Sequence, residues 1–322
     1  MIKIVLRRVL ILIPQLIFIS MFIFFLSELM PGDPFGHLVE DPNVSAEQIH
    51  AIREAYGLND PLPIRYGRWL GNILTNWDFG ISLAHRRAVM DVIGERLVNT
   101  SILGTLTLAL IYIISVPLGI VAGRRSGKWP DKSVLLYTFF TLAIPAIVMS
   151  ILVIFVFGFN LGWIPIRGSV SATEVSGTFG YFTSRLHHLI GPALTGALLG
   201  GTLIVFLLRN EMVDVKNLDY VTTARAKGVP ERVVYNKHIL RNSLLPVLPT
   251  VGTSLVGIFT GAIFIEMIFS FPGIGGLFLT SINQRDFPVV LGISLITSVL
   301  ISLGVLLGDL LTIVVDPRIR IK

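Results

Sequence analysis

The chain has 322 residues and a formal net charge of +6; 53% of it comes from the set AVILMFWYC, only 14% is charged, and its mean hydropathy is +0.77. A soluble chain of this length needs about a quarter of its residues charged, so this composition is that of a membrane protein and excludes disorder, collagen and coiled coil. The absence of cysteine removes disulfides, thiolate metal sites, iron–sulfur clusters and cysteine nucleophiles together.

A bilayer core about 30 Å thick is crossed by about 20 apolar residues in a helix, because lipid offers backbone groups no other partner. Six stretches qualify, at 9–30, 101–122, 134–158, 189–208, 244–269 and 289–315. The expected fold is all-α, a polytopic membrane protein with six transmembrane helices. Pro14, Pro117, Pro145, Pro246 and Pro249 fall inside these stretches and are tolerated where neighbouring helices re-satisfy freed carbonyls. The first stretch begins basic, as a signal peptide does. Its apolar run is too long for an h-region and no small-x-small site follows, so it reads as a retained helix, 1–30.

Residues 31–97 form the one sizeable outer segment. Ser45 with Gln48 fits a capping box and Gly57 a helix stop, so 46–56 is expected to be helical. Asp60-Pro61 starts a second helix, 61–74, with Trp69, Leu70 and Ile73 on its apolar face, and a third runs from Ala88 into the second span. The segment is too small for a core of its own and is expected to lie as a lid on the membrane domain, 98–322. A mobile loop is the alternative.

Between the fourth and fifth spans, 209–243 carries charges of both signs. Asp219 to Gly228 reads as a two-turn helix, with an acid at its start, basic residues late and Gly228 at C′; Pro230 then opens a second helix running to about Asn242. Such a hairpin is either a handle for a cytoplasmic partner or a solvated basic connector. With the N-terminus inside, the inner segments hold 17 of the 26 Lys and Arg residues, seven of them in 209–243. Of the nine outer ones, six lie in one long loop, where the rule counts little. Both termini, 123–133 and 209–243 are therefore expected in the cytoplasm. The positive charge is an orientation signal, not a nucleic-acid footprint.

No catalytic, cofactor or metal motif is present. The string Gly123-Arg124-Arg125-Ser126-Gly127-Lys128-Trp129 misses a phosphate loop: its glycines are one residue too close, and Trp129 replaces the Mg²⁺-binding hydroxyl. His187 and His188 are adjacent, so on a helix they point about 100° apart, which fits an interfacial pair better than a metal site. Glu266 and Asp309 lie near span ends, where a hydrogen-bonded structural role competes with proton coupling. Gly119 with Gly123, Gly196 with Gly200, Gly257 with Gly261, and Gly304 with Gly308 permit close helix crossings, within the chain or against a partner. Thr202, Thr250, Thr253, Ser254, Thr260 and Ser298 are candidates to line a polar path; the alternative for each is a bond to its own helix.

The string YVTTARAKGVPERVVYNKHILRNSLLP, Tyr220 to Pro246, resembles the EAA coupling loop of ABC importer permeases, closest to the oligopeptide/dipeptide/nickel branch. Against the pattern E-A-A-x₃-G-x₉-I-x-L-P, Thr222-Thr223-Ala224 stand for E-A-A and Gly228 for the glycine; the later motif departs, with Arg241 where its proline would be. LMPGDPF, WDFGIS, ERLVNT, FIEMIFSFPGIGGLF and DPRIR agree with the same branch, so the resemblance covers nearly the whole chain. It implies a type I ABC importer permease in the bacterial plasma membrane, working with a second homologous permease, two cytoplasmic ATPases and an extracytoplasmic solute-binding protein. It implies no cofactor in this chain, because ATP and Mg would be bound by the ATPases. Asp219, Tyr220, Thr222, Thr223, Ala224, Arg225, Ala226, Lys227 and Gly228 become the ATPase-coupling residues. The implied cargo is di- or oligopeptide, with a nickel or metal chelate as runner-up. A stand-alone secondary transporter would show inverted repeats and broken helices facing an ion site, and neither is visible.

Overall fold

The computed structural model describes residues 2–29, 45, 47, 48, 50, 54, 59–260 and 262–315; the side chains of 2–9, 249, 253, 259, 260, 309 and 311–315 lie outside that description. Described residues outside turns and loops are helical, apart from an isolated antiparallel bridge between Ile81 and Ala88. In chain order the helices are α1 (Ile2–Glu28), α2 (Leu62–Asn76), α3 (Val89–Arg124), α4 (Trp129–Ala143), α5 (Ala146–Val153), α6 (Phe179–Gly200), α7 (Thr202–Val215) and α8 (Asp219–Ala226). A mixed helical run over 231–243 follows, then α9 (Leu248–Thr260), α10 (Ile263–Ile268), α11 (Ile274–Asn283) and α12 (Phe287–Val315). Among the described residues, four helical stretches are long and apolar enough to cross a membrane by themselves, and the number reaches six when each of two bent pairs counts as one span.

The expected third span, 134–158, is not one rod. It is broken between α4 and α5, and the two arms (the second extended by a π-helical stretch, Ile154–Asn160) meet at 113°. Pro145 lacks an N–H and pushes the residue before it out of the helical region; Ile144 is extended at φ −88° and ψ 124°. Pro14, Pro117 and Pro192, by contrast, sit inside unbroken helices. The fourth span also bends, by 42°, between α6 and α7 at Gly201, against which Ser115 packs closely.

The chain divides into two compact units. One comprises Met1–Val98 with Gly276–Ser302. In it α2 is fastened along the second half of α1. Arg65 donates from both terminal nitrogens to the two oxygens of Glu28 at 2.6 Å, Ser20 shares a 2.8 Å hydrogen bond with Tyr66, and Phe24 packs on Tyr66 and Trp69. The expected face of α2 is real at Ile73, which is 4% exposed. The capping box at 45–48 also forms: Ser45 N–H donates to Gln48 Oε1 and Gln48 N–H to Ser45 Oγ. Gly57 and most of the helix expected there lie outside the described residues. After α2 the chain makes a tight hairpin over 77–88. Its Ser82 hydroxyl and the amides of Leu83 and Ala84 all donate to the fully buried carboxylate of Asp286.

The other unit, Asn99–Gly275 with Leu303–Lys322, holds the functional candidates. Three expected glycine pairs are crossings inside it. Gly119 and Gly123 seat Leu208 and Met212 of α7; Gly196 and Gly200 seat Thr107 and Ile111 of α3; Gly304 and Gly308 face Val256 and Gly252 of α9. A Cβ on Gly123 would lie 2.6 Å from that of Met212, so any side chain there would force α3 and α7 apart. Of the fourth pair, Gly257 faces open space and Gly261 lies outside the described residues.

Candidate functional site

The hairpin of 209–243 begins with α7, whose Leu208, Met212 and Val215 are buried. Asp219 sits in the first turn of α8, where its charge favours the helix dipole. Val221 and Ala224 then point inward, packed with Met212, Val234, Ile239 and Val247 against Tyr112, Val116 and Ile120 of α3. Val221 is fully buried, which contributes about 2 kcal/mol. The helix ends in a Schellman motif: Val229 N–H reaches Ala224 C=O at 3.2 Å, Gly228 N–H reaches Arg225 C=O at 2.9 Å, and Gly228 is left-handed at φ +74°. Pro230 caps the next run, where Glu231–Val233 passes into a π-helical stretch, Val234–Ile239, and Leu240–Ser243. That run is pinned to α3 by Arg124, whose guanidinium lies 4.9 Å over the Tyr235 ring, and to α8 by Asn242, which donates to Tyr220 Oη at 2.7 Å.

The outer face of α8 presents Asp219, Tyr220, Thr222, Thr223, Ala226 and Lys227. Two residues expected on that face are elsewhere. Ala224 is only 8% exposed and packs on the chain's own core, one turn from Val221, so its small size serves the hairpin itself. Arg225 is half-buried; its Nε donates to Glu231 at 2.8 Å and a terminal nitrogen reaches Lys216 C=O. Ala224 follows Val221 by three residues and so shares its inward face, which packs with Val234 and Ile239 of the π-helical stretch.

A cavity of about 240 Å³ opens between α3, α6 and α9. Its wall is mainly apolar (Leu103, Ile111, Ile258 and Ile265 among others), with Thr100, Thr107, Ser254 and Glu266 as its polar members. Of the six path candidates, Ser254 borders it. Thr250 lies nearby, sharing a 3.1 Å hydrogen bond with Tyr112 Oη. Thr202 is buried against Thr141 at 2.7 Å, which makes it a packing residue, and Ser298 bonds back to Ser294 C=O in the other unit. The side chains of Thr253, Thr260 and Asp309 lie outside those described.

Glu266 is fully buried and holds the loop that follows α10. Its carboxylate accepts the Thr100 hydroxyl and the Gly275 amide, both at 2.8 Å, and Thr100 Oγ1 in turn accepts Ile274 N–H at 2.8 Å. Beside it, Arg185 donates to Asn99, which donates to Pro272 C=O. The FPGIGG string thus closes over a carboxylate, and Gly273 has no room for a Cβ because Glu266 fills that space. The sequence flags Glu266 by depth alone; its partners sit 166 residues away at Thr100 and in the glycine-rich loop. His187 and His188 diverge as expected, contacting the carbonyls of Trp163 and Ser184.

Two family matches cover nearly all of the chain. Residues 1–104 match the N-terminal component of binding-protein-dependent transport system membrane proteins, and residues 115–321 match the binding-protein-dependent transport system inner membrane component. The oligopeptide transport system permease protein AppB of Bacillus subtilis is 38% identical over 98% of both chains. The dipeptide transport system permease protein DppB of Lactococcus lactis and the glutathione transport system permease protein GsiC of Escherichia coli are each 34% identical over the full length of both chains. With matches of this length running through α8 and the Glu266 loop alike, the chain belongs to the family of binding-protein-dependent transport system inner membrane components.

Proposed function

We propose that the chain is the membrane-spanning permease subunit of an ATP-driven importer that carries di- and oligopeptides across the bacterial plasma membrane. Its termini and 209–243 face the cytoplasm, and 31–97 faces outward, where it helps dock a solute-binding protein. A second, homologous permease completes the path, and two separate ATPases bind ATP and Mg. The observation that carries this reading is α8, a short helix with an exposed polar face on a buried, capped base, in a chain of this family. Substrate names among the relatives, oligopeptide and dipeptide, support a peptide cargo over a nickel chelate. The cavity beside Ser254 is the segment of the path that this subunit contributes.

Reconstitution with the cognate permease, ATPases and binding protein tests the proposal. ATP-dependent uptake of a labelled peptide is expected from the complete set and from no subset lacking the ATPases. Nucleotide hydrolysis by the purified subunit, or uptake by it alone, would refute it.

A further inference from the structure

At the start of α4, Asp131 is 1% exposed and is gripped by Arg209 of α7. Arg209 Nε donates to Oδ1 at 3.1 Å and Nη2 to Oδ2 at 2.9 Å, while the Gly127 amide donates to Oδ2 at 2.8 Å. An ion pair with one buried and one half-buried partner is seldom the most stable way to join two helices, since apolar side chains of similar volume do as well; what it can add is a fixed register. The same α4–α7 seam continues through Val134 against Val205, Phe139 against Phe206, and the Thr141–Thr202 hydrogen bond. Within two turns beyond Arg209 on α7 lie Met212 and Val215, residues on which α8 is seated. At its other end, α4 leads through the Pro145 break into α5, which packs against α6 and α10, the helix that carries Glu266.

We propose that Asp131 is a positioning residue for energy coupling: its pair with Arg209 locks α4 to α7, so that α8, α7 and α4 move as one rigid body. This rests on the reading of α8 as the coupling helix. The lock stays shut throughout the cycle, and the displacement of α8 reaches α5 and α10 through the broken span.

Two variants test this in the assembled, reconstituted importer. Thr141 and Thr202 have their hydroxyls 2.7 Å apart, close enough for a disulfide in a chain with no native cysteine. With Thr141→Cys and Thr202→Cys oxidised, peptide uptake is expected to stay at the wild-type rate; loss of uptake that a reductant restores would overturn the proposal. Asp131→Asn is expected to hydrolyse ATP but to move fewer peptides per ATP, by about twofold to thirtyfold, the range over which single residues modulate coupling. If that variant does not assemble, Arg209→Lys, which keeps the charge but loses the fork, takes its place with the same expectation. A wild-type ratio of uptake to hydrolysis would overturn the proposal. Gly228→Val, measured in parallel, separates the two readings. If it uncouples while the Asp131 variant does not, the positioning role alone fails; if neither uncouples, the coupling helix itself is misassigned.

Discussion

Replacing Gly228 isolates the backbone geometry that ends α8. The residue is left-handed at φ +74°, and a Cβ built there would meet nothing within 4 Å, so a side chain introduces conformational cost without a clash. That cost is about 1–2 kcal/mol for an L-residue and is greatest when the side chain is β-branched. Escape to an ordinary conformation would break the two hydrogen bonds of the Schellman motif, at about 0.5–1.5 kcal/mol each, so neither route is free. The capped form should therefore fall by about 5- to 30-fold relative to its frayed alternatives. The expected order of coupling is the wild-type glycine, then Gly228→Asn, since asparagine tolerates the left-handed region, then Gly228→Ala, then Gly228→Val. The assay is peptide uptake per ATP in proteoliposomes, with membrane insertion checked by expression and protease resistance. Wild-type coupling in Gly228→Val, or a Gly228→Asn variant as impaired as Gly228→Val, would refute the reasoning.

Ala224→Trp and Ala226→Trp should separate the two faces of α8. The first overpacks the core beneath the helix by about 1–3 kcal/mol and should lower the melting temperature of the purified subunit; the second should spare the fold and weaken ATPase co-purification. Glu266→Ala orphans the Thr100 hydroxyl and the Gly275 amide, an expected loss of about 1–3 kcal/mol per buried group, read as reduced thermal stability in detergent. In the cysteine-free chain, a cysteine at Ser45 should react with an impermeant maleimide added outside and one at Lys227 only after permeabilisation; the reverse pattern would invert the topology.

Hydropathy is enough to find the spans because lipid leaves helix as the only choice, and α1, α3 and α12 run through the expected stretches. It is not enough to find the break at Pro145. Pro14 and Pro117 look the same in sequence, and what decides is whether neighbours re-satisfy the freed carbonyl. The π-helical stretches at Ile154–Asn160 and Val234–Ile239 likewise carry no local signature. In the candidate site, Gly228 is legible because a left-handed residue almost demands glycine, and Pro230 because it can open a helix. Ala224 is not, because alanine fits either face of a helix, nor is Arg225, because its partner, Glu231, belongs to the next run. The Asp131–Arg209 pair is hidden for the same reason: two charges 78 residues apart meet only once α4 and α7 are packed.

The buried Asp286 has a consequence for the order of synthesis. The hairpin over 77–88 presents its Ser82 hydroxyl and its Leu83 and Ala84 amides to an acceptor 204 residues downstream of Ser82. At about 5–20 residues per second, translation takes about 10–40 s to cover that interval. Through that window the hairpin has its donors in place but not the carboxylate that receives them. The hairpin over 77–88 is thus a client of water, or of the insertion machinery, until Asp286 emerges, and a ribosome stalled before Asp286 leaves a nascent chain that cannot close this hairpin.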